Sequence, residues 1–466
     1  MAFSLQNYHS MNKNWIAKNT ILASAALQLV LGLITPVSAN AQVTISGISS
    51  GGFMATQMAT IFSKEISGLG TVAGGFYYCA GNHMQEKIAE GEKNFFMGTK
   101  NLFLYQQSDV VLSDLLFGHF LFPGFSPQWF TPSKKNPLYK SLGICMQNPQ
   151  KAVIPQLKPL QEKNWIDPIE NIAAQKVFVY HGTRDSIVNP AMQNKIVEFY
   201  QRYNTPKENI KTANVVGGHN FPTNKKDLND CLAQTIPYLS SCDYNLASEM
   251  IQFLIPSAQP GGQFNQNHLY IVDQTLDHKN NFKDFTIEKA FQPNYSIGAY
   301  GYLYATDQCL NNPTRCQLHV ALHGCEMSDS YDPSFDLLYQ KQVQKTQIVR
   351  MRSEKEKTLF DFNFKQLPTI EQKGLSWGNL KFAMSSGYAE MAETNNLMIL
   401  FPQTWITEKN YPYNPKGCWD WFGFTGSNYA SKEGQETKWL MDYIRAIQKD
   451  PKAFILEKRP DMNTKH

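Results

Sequence analysis

The stretch Gln42-Val-Thr-Ile-Ser46-Gly47-Ile48-Ser49-Ser50-Gly51-Gly52-Phe53-Met54-Ala55 decides how the rest of the chain reads. Residues 43–46 are a short run rich in β-branched side chains, which predicts a strand. Residues 53–62 are mostly good helix formers with apolar positions at helical spacing, which predicts a helix. Between them stands Gly47-x-Ser49-x-Gly51. A serine on a sharp strand-to-helix turn needs small neighbours two residues away on each side, so that the backbone can pass. Such a turn exposes the hydroxyl at a helix N-terminus, where the amides and the dipole favour developing negative charge. Ser49 is therefore the candidate nucleophile. Ser46 and Ser50 lack glycine at both flanking positions.

A serine nucleophile needs a base and a group to orient that base. Lys176-Val-Phe-Val-Tyr-His181 reads as a buried strand and runs into Gly182-Thr-Arg-Asp185-Ser-Ile-Val188, which places Asp185 at a strand end as the orienting carboxylate. Residues 210–216 read as the next strand, and Gly217-Gly-His219-Asn-Phe-Pro222 as the loop leaving it, which makes His219 the candidate base. The order serine, aspartate, histidine is that of strand–turn–helix serine hydrolases.

One oxyanion amide in such sites comes from the residue after the nucleophile, here Ser50; the other comes from a His-Gly loop that ordinarily precedes the elbow. In this chain the matching segment, His319-Val-Ala-Leu-His323-Gly-Cys325-Glu326, comes far later, and the runs 299–305 and 397–401 read as strands around it. A circular permutation accounts for this order, with the opening strands moved behind the triad, and it assigns the second amide to Cys325.

Composition narrows the function classes. A chain of 466 residues, 42% of them hydrophobic, has ample material for a large core. Its net charge of +4 is not gathered into a basic block, so no nucleic-acid partner is expected. Lys13 and Lys18 precede an apolar stretch over 21–34, followed by Val37-Ser-Ala39 and Ala39-Asn-Ala41, a pattern that reads as a signal peptide over 1–39. The stretch is short of the ~20 residues that span a bilayer, so no integral membrane span is expected in the mature chain. Eight cysteines in an exported chain favour disulfides over metal, and no Cys-x-x-Cys occurs, so neither a metal nor another cofactor is expected. Cys231/Cys242 and Cys309/Cys316 are close enough for local bridges, while the pairing of Cys79, Cys145, Cys325 and Cys418 stays open at this level.

Taken together, Gly47-Ile-Ser-Ser-Gly-Gly-Phe-Met-Ala55, Val72-Ala-Gly-Gly-Phe-Tyr-Tyr-Cys-Ala80, His319-Val-Ala-Leu-His-Gly-Cys325, Thr394-Asn-Asn with Leu400-Phe-Pro-Gln403, and Gly417-Cys-Trp-Asp-Trp-Phe-Gly423 resemble poly(3-hydroxybutyrate) depolymerases with a circularly permuted catalytic domain. The likeness runs from about residue 43 to about residue 450. It implies an α/β-hydrolase fold, one large catalytic domain over 40–466, and an exported serine esterase acting on a polyester or ester substrate. It implies Ser49, Asp185 and His219 as the triad and Ser50 and Cys325 as oxyanion donors. It further implies the bridges Cys79–Cys145, Cys231–Cys242, Cys309–Cys316 and Cys325–Cys418, and a cleft lined by Trp419, Trp421 and Phe424. Two lid-like insertions are expected, over about 82–140 and 329–383, and they keep open a lipase or small-ester esterase as well as a non-catalytic polyester-binding protein.

Overall fold

Strand β1 is buried along its whole length and pairs in parallel on both edges, as a run of Val, Thr and Ile with no solvent face requires. The computed structural model describes residues 43–81, 143–274, 296–298, 300–331, 378–406, 414 and 416–458. In chain order the strands are β1 Val43–Ile48, β2 Ile66–Val72, β3 Lys176–Gly182, β4 Ile210–Val215, β5 Phe221–Thr223, β6 Asn229–Asp230, β7 Leu239–Ser241, β8 Leu269–Asp273, β9 Tyr300–Tyr304, β10 Gln317–Leu322, β11 Leu397–Phe401 and β12 Ile455–Lys458. The longer helices are α1 Ser50–Ile61, α2 Met192–Arg202, α3 Leu246–Leu254, α4 Gly378–Ser385, α5 Tyr388–Thr394 and α6 Gln435–Lys449.

Among the described residues the main sheet has nine strands in the order β12-β8-β9-β11-β10-β1-β2-β3-β4, and β5-β7-β6 form a small second sheet. From β11 to β4 all pairings are parallel; β9 runs antiparallel to β11, and β8 to β9. Read cyclically from β8, and setting aside the edge strand β12, the spatial order is first, second, fourth, third, then fifth to eighth. That is the order of an α/β-hydrolase sheet, so the fold is an α/β-hydrolase in which β1, the first described strand, takes the fifth place. The permutation expected from the late His-Gly-Cys segment is present in the topology.

The pleat sorts the strand side chains onto two faces. On β3, Val177 and Val179 join the cluster packed by Phe53 and Met58 of α1, Ile196 of α2 and Ile444 of α6. Phe178 and Tyr180 join the opposite one, with Met250 of α3 and Tyr388 of α5. Buried polar groups tie β1 to β10: His319 is held between Thr44 Oγ1 at 2.8 Å and Ser46 Oγ at 2.7 Å, and Ser46 also meets the Tyr388 hydroxyl. Burial keeps His319 neutral, pushing it down to about 3.

The expected signal segment 1–39 and the insertion 82–140 lie outside the described residues. Of the insertion 329–383 only its two ends are described, and they meet: the Leu380 amide donates to Asp329 Oδ1 at 3.1 Å.

Candidate active site

The elbow is built from forced close approaches. A Cβ on Gly47 would lie 2.3 Å from the Gly51 carbonyl, and one on Gly51 would lie 2.3 Å from the His323 carbonyl oxygen. Real atoms do not approach so closely, so both positions have to be glycine. Ser49 between them takes φ 56° and ψ −122°, a conformation disfavoured for side chains other than glycine. Strand β1 reaches Ile48 and α1 begins at Ser50, so both elements extend further toward Ser49 than the 43–46 and 53–62 patterns suggest. The close packing of the glycines pulls the helix start onto the turn, against their weak helix propensity. Ser49 occupies the N-cap position, where serine ordinarily accepts a backbone N–H, yet its hydroxyl makes no capping bond.

Asp185 and His219 meet beyond the ends of β3 and β4. His219 Nδ1 donates to Asp185 Oδ2 at 2.8 Å, and both side chains are almost wholly buried. The other carboxylate oxygen, Oδ1, accepts the amides of Ile187 and Val188, each at 2.8 Å. This aims Oδ2 at the ring and leaves His219 Nε2 as the acceptor nitrogen. Among the described residues no hydrogen bond joins Ser49 to His219; in unliganded sites such bonds are often long and tighten only with substrate. His181 is buried beside this pair, and desolvation pushes it down to about 4, so it contributes no charge.

The loops carrying Asp185 and His219 are held by a residue the sequence gives no reason to select. Gln234 Oε1 accepts the amides of Ser186 at 2.8 Å and His219 at 3.1 Å. Glycines let these loops close: a Cβ on Gly182 would lie 2.4 Å from the Gly218 carbonyl oxygen. The base loop is further fixed by Asn220 Nδ2, which donates to the carbonyls of Cys231 and Ala233, both at 2.8 Å.

The His323-Gly324-Cys325 turn arrives from β10, the strand beside β1. A Cβ on Gly324 would lie 3.2 Å from Ser49 Cβ, so the turn stands against the elbow. His323 Nδ1 donates to the Gly324 carbonyl at 2.7 Å and Nε2 accepts the Thr404 amide at 3.2 Å, which defines a neutral ring; burial lowers it to about 4. Among the described residues neither the Ser50 nor the Cys325 amide is given to a backbone acceptor.

Four disulfides close: Cys79–Cys145, Cys231–Cys242, Cys309–Cys316 and Cys325–Cys418. The Cys325–Cys418 bridge ties the turn to the segment Trp419-Asp-Trp-Phe-Gly-Phe424. Trp419, Trp421 and Phe424, the rings expected to line the cleft, are buried. Trp421 stacks on Phe53 of α1 at 4.0 Å, Trp419 packs on His323 at 5.6 Å, and Phe424 packs on Phe422 at 5.2 Å. Asp420 curls the segment by accepting the amides of residues 422–425. No group of side chains suited to a metal, and no helix long and apolar enough to cross a membrane, occurs among the described residues.

No protein-family model matches the chain. It is 25% identical over 403 residues to the poly(3-hydroxybutyrate) depolymerase of Delftia acidovorans, covering 85% of this chain but only 57% of that protein. It is 24% identical over 455 residues to the polyhydroxybutyrate depolymerase of Talaromyces funiculosus, covering 94% of this chain and 98% of that one. Two solved structures share the fold: a PHB depolymerase from Penicillium funiculosum (TM-score 0.56, 22% identity) and a serine-to-alanine PHB depolymerase complexed with an R3HB trimer (TM-score 0.55, 21% identity). Each covers 88% of this chain and 96% of the other. The chain is thus similar over most of its length to poly(3-hydroxybutyrate) depolymerases and carries a circularly permuted α/β-hydrolase fold.

Proposed function

We propose that the chain is an exported serine esterase that hydrolyses poly(3-hydroxybutyrate)-type polyester or its oligomers. The observation that carries this reading is the buried 2.8 Å pair of His219 and Asp185 at the carboxyl end of the sheet that also ends in the strained Ser49 turn. The broad likeness to polyester depolymerases supports the substrate class. The four disulfides and the pattern over 1–39 support export.

The chemistry is acyl transfer in two steps. His219 Nε2 takes the Ser49 hydroxyl proton as Oγ attacks the ester carbonyl. The oxyanion is received by the Ser50 and Cys325 amides, each of which is worth about 2.7–4 kcal/mol in such sites. His219 then returns the proton to the departing alcohol oxygen, leaving an acyl-Ser49. Water, deprotonated by the same nitrogen, attacks the acyl group and frees the hydroxyacid end. Asp185 holds the tautomer and balances the imidazolium.

Ser49→Ala tests the reading. The variant should release no soluble 3-hydroxyacid from amorphous polyester and should escape labelling by a fluorophosphonate, with an unchanged melting temperature. Retained turnover would overturn the triad. Faster turnover of tributyrin than of polyester by the unaltered enzyme would move the assignment to a lipid esterase.

A further inference from the structure

The oxyanion turn and the base loop meet at a second contact, one that the acyl-transfer steps do not use. Glu326 directly follows Cys325 and adopts φ 63°, in the left-handed region. Its amide donates to the Lys416 carbonyl at 2.7 Å, and its buried carboxylate pairs with the Lys416 ammonium through Oε1. The remaining oxygen, Oε2, accepts the Tyr238 hydroxyl at 2.7 Å. Tyr238 is also left-handed, at φ 55°, and its carbonyl accepts the amide of Phe221, two residues beyond the base. Its ring stands edge-on to the His219 imidazole, with centroids 6.0 Å apart and planes at 85°. Two non-glycine residues in disfavoured conformations on separate loops thus reach toward each other, one adjoining an oxyanion donor and the other adjoining the base. Such conformations persist where the surroundings over-determine them.

We infer that Tyr238 and Glu326 form a clasp that positions His219 against the oxyanion turn, making both of them positioning residues for the ester hydrolysis proposed above, on which this inference rests. The Tyr238 ring, edge-on to the imidazole, limits its rotation, and the hydroxyl–carboxylate bond transmits the position of Cys325 to that ring. Lys416 fixes the carboxylate so that its second oxygen is available to the hydroxyl. The titratable and charged groups around His219 are then Asp185 at 2.8 Å, the neutral His181, the Tyr238 hydroxyl and the Glu326–Lys416 pair.

Three variants, measured on a soluble hydroxybutyrate oligomer, test it. Tyr238→Phe keeps the ring and removes the hydroxyl; kcat should fall about tenfold or more, as misplacement of a catalytic group does, with KM and melting temperature nearly unchanged. Glu326→Gln keeps an acceptor for that hydroxyl and should retain more kcat than Glu326→Ala. A Tyr238→Phe enzyme with the kcat of the unaltered protein, or with a loss confined to KM or matched by a lowered melting temperature, overturns the clasp while Ser49→Ala stays inactive. Turnover by Ser49→Ala removes the triad reading and the clasp with it.

Discussion

The side-chain oxygen of Gln234 stands 3.1 Å from the backbone nitrogen of His219 and 2.8 Å from that of Ser186, so one amide group spans the base loop and the acid loop. Deleting it leaves two amides without their acceptor, at about 1–3 kcal/mol for each that stays buried. Gln234→Ala should therefore lower both the melting temperature and kcat, the latter by about ten- to a hundredfold. Gln234→Glu, which keeps the acceptor oxygen, should retain more of each. Thermal denaturation and steady-state kinetics of the two variants check this, and an unaltered kcat in Gln234→Ala would discard it.

Gly51 and Gly324 separate folding from catalysis. A methyl on Gly51 meets main-chain oxygens of His323 and Leu322 at 2.3 and 2.6 Å, atoms that cannot move without parting α1 from β10. Gly51→Ala should be destabilised by about 3 kcal/mol or more, or fail to accumulate. A methyl on Gly324 meets Ser49 Cβ at 3.2 Å, a crowding that shifts of a few tenths of an ångström relieve. Gly324→Ala should fold and lose turnover. Soluble yield and circular dichroism of the pair make the comparison.

Glu436 provides a pH test of stability. It is buried, accepts the Asp420 amide at 2.6 Å and the Ser296 hydroxyl, and is pushed up to about 8, first by burial and then by the Asp420 charge. A carboxyl raised above its unfolded value favours the fold fully below pH 4.5, and this contribution drains away as pH climbs to about 8. Glu436→Gln removes the titration, so its melting temperature relative to the unaltered protein should rise across that window. Parallel curves for the two proteins would count against the buried proton.

The Cys325–Cys418 bridge closes a separation of 93 residues, a length for which chain entropy contributes about 4–5 kcal/mol. Replacing both cysteines with serine should lower the melting temperature, and it should cost more activity than the Cys309–Cys316 double replacement, whose separation is 7 and which lies away from the elbow. Equal activity in the two double variants would argue that the bridge does not steady the turn.

Much of this was legible in the sequence because the deciding features are local. The strand, turn and helix around Ser49, the carboxylate after the 176–181 run and the Gly-Gly-His loop each lie within about ten residues, where propensity and turn chemistry suffice. The displaced His-Gly-Cys segment exposed the permutation. Gln234, Tyr238 and Glu326 escaped because what matters in them is tertiary: a glutamine in a loop carries no mark until the two loops it joins are brought together. Trp419, Trp421 and Phe424 are harder to read for a related reason. An aromatic run near a site is equally suited to gripping substrate or filling the space behind it, and only burial tells these apart.

The hydrogen bond from Thr44 to His319 crosses 275 positions of chain. β1 gains β2 within a few residues of α1, but its other edge is completed only by β10, about two thirds of the way along the sequence. The rearranged order therefore makes the centre of the sheet depend on pairing between strands far apart in sequence, which is intrinsically slow.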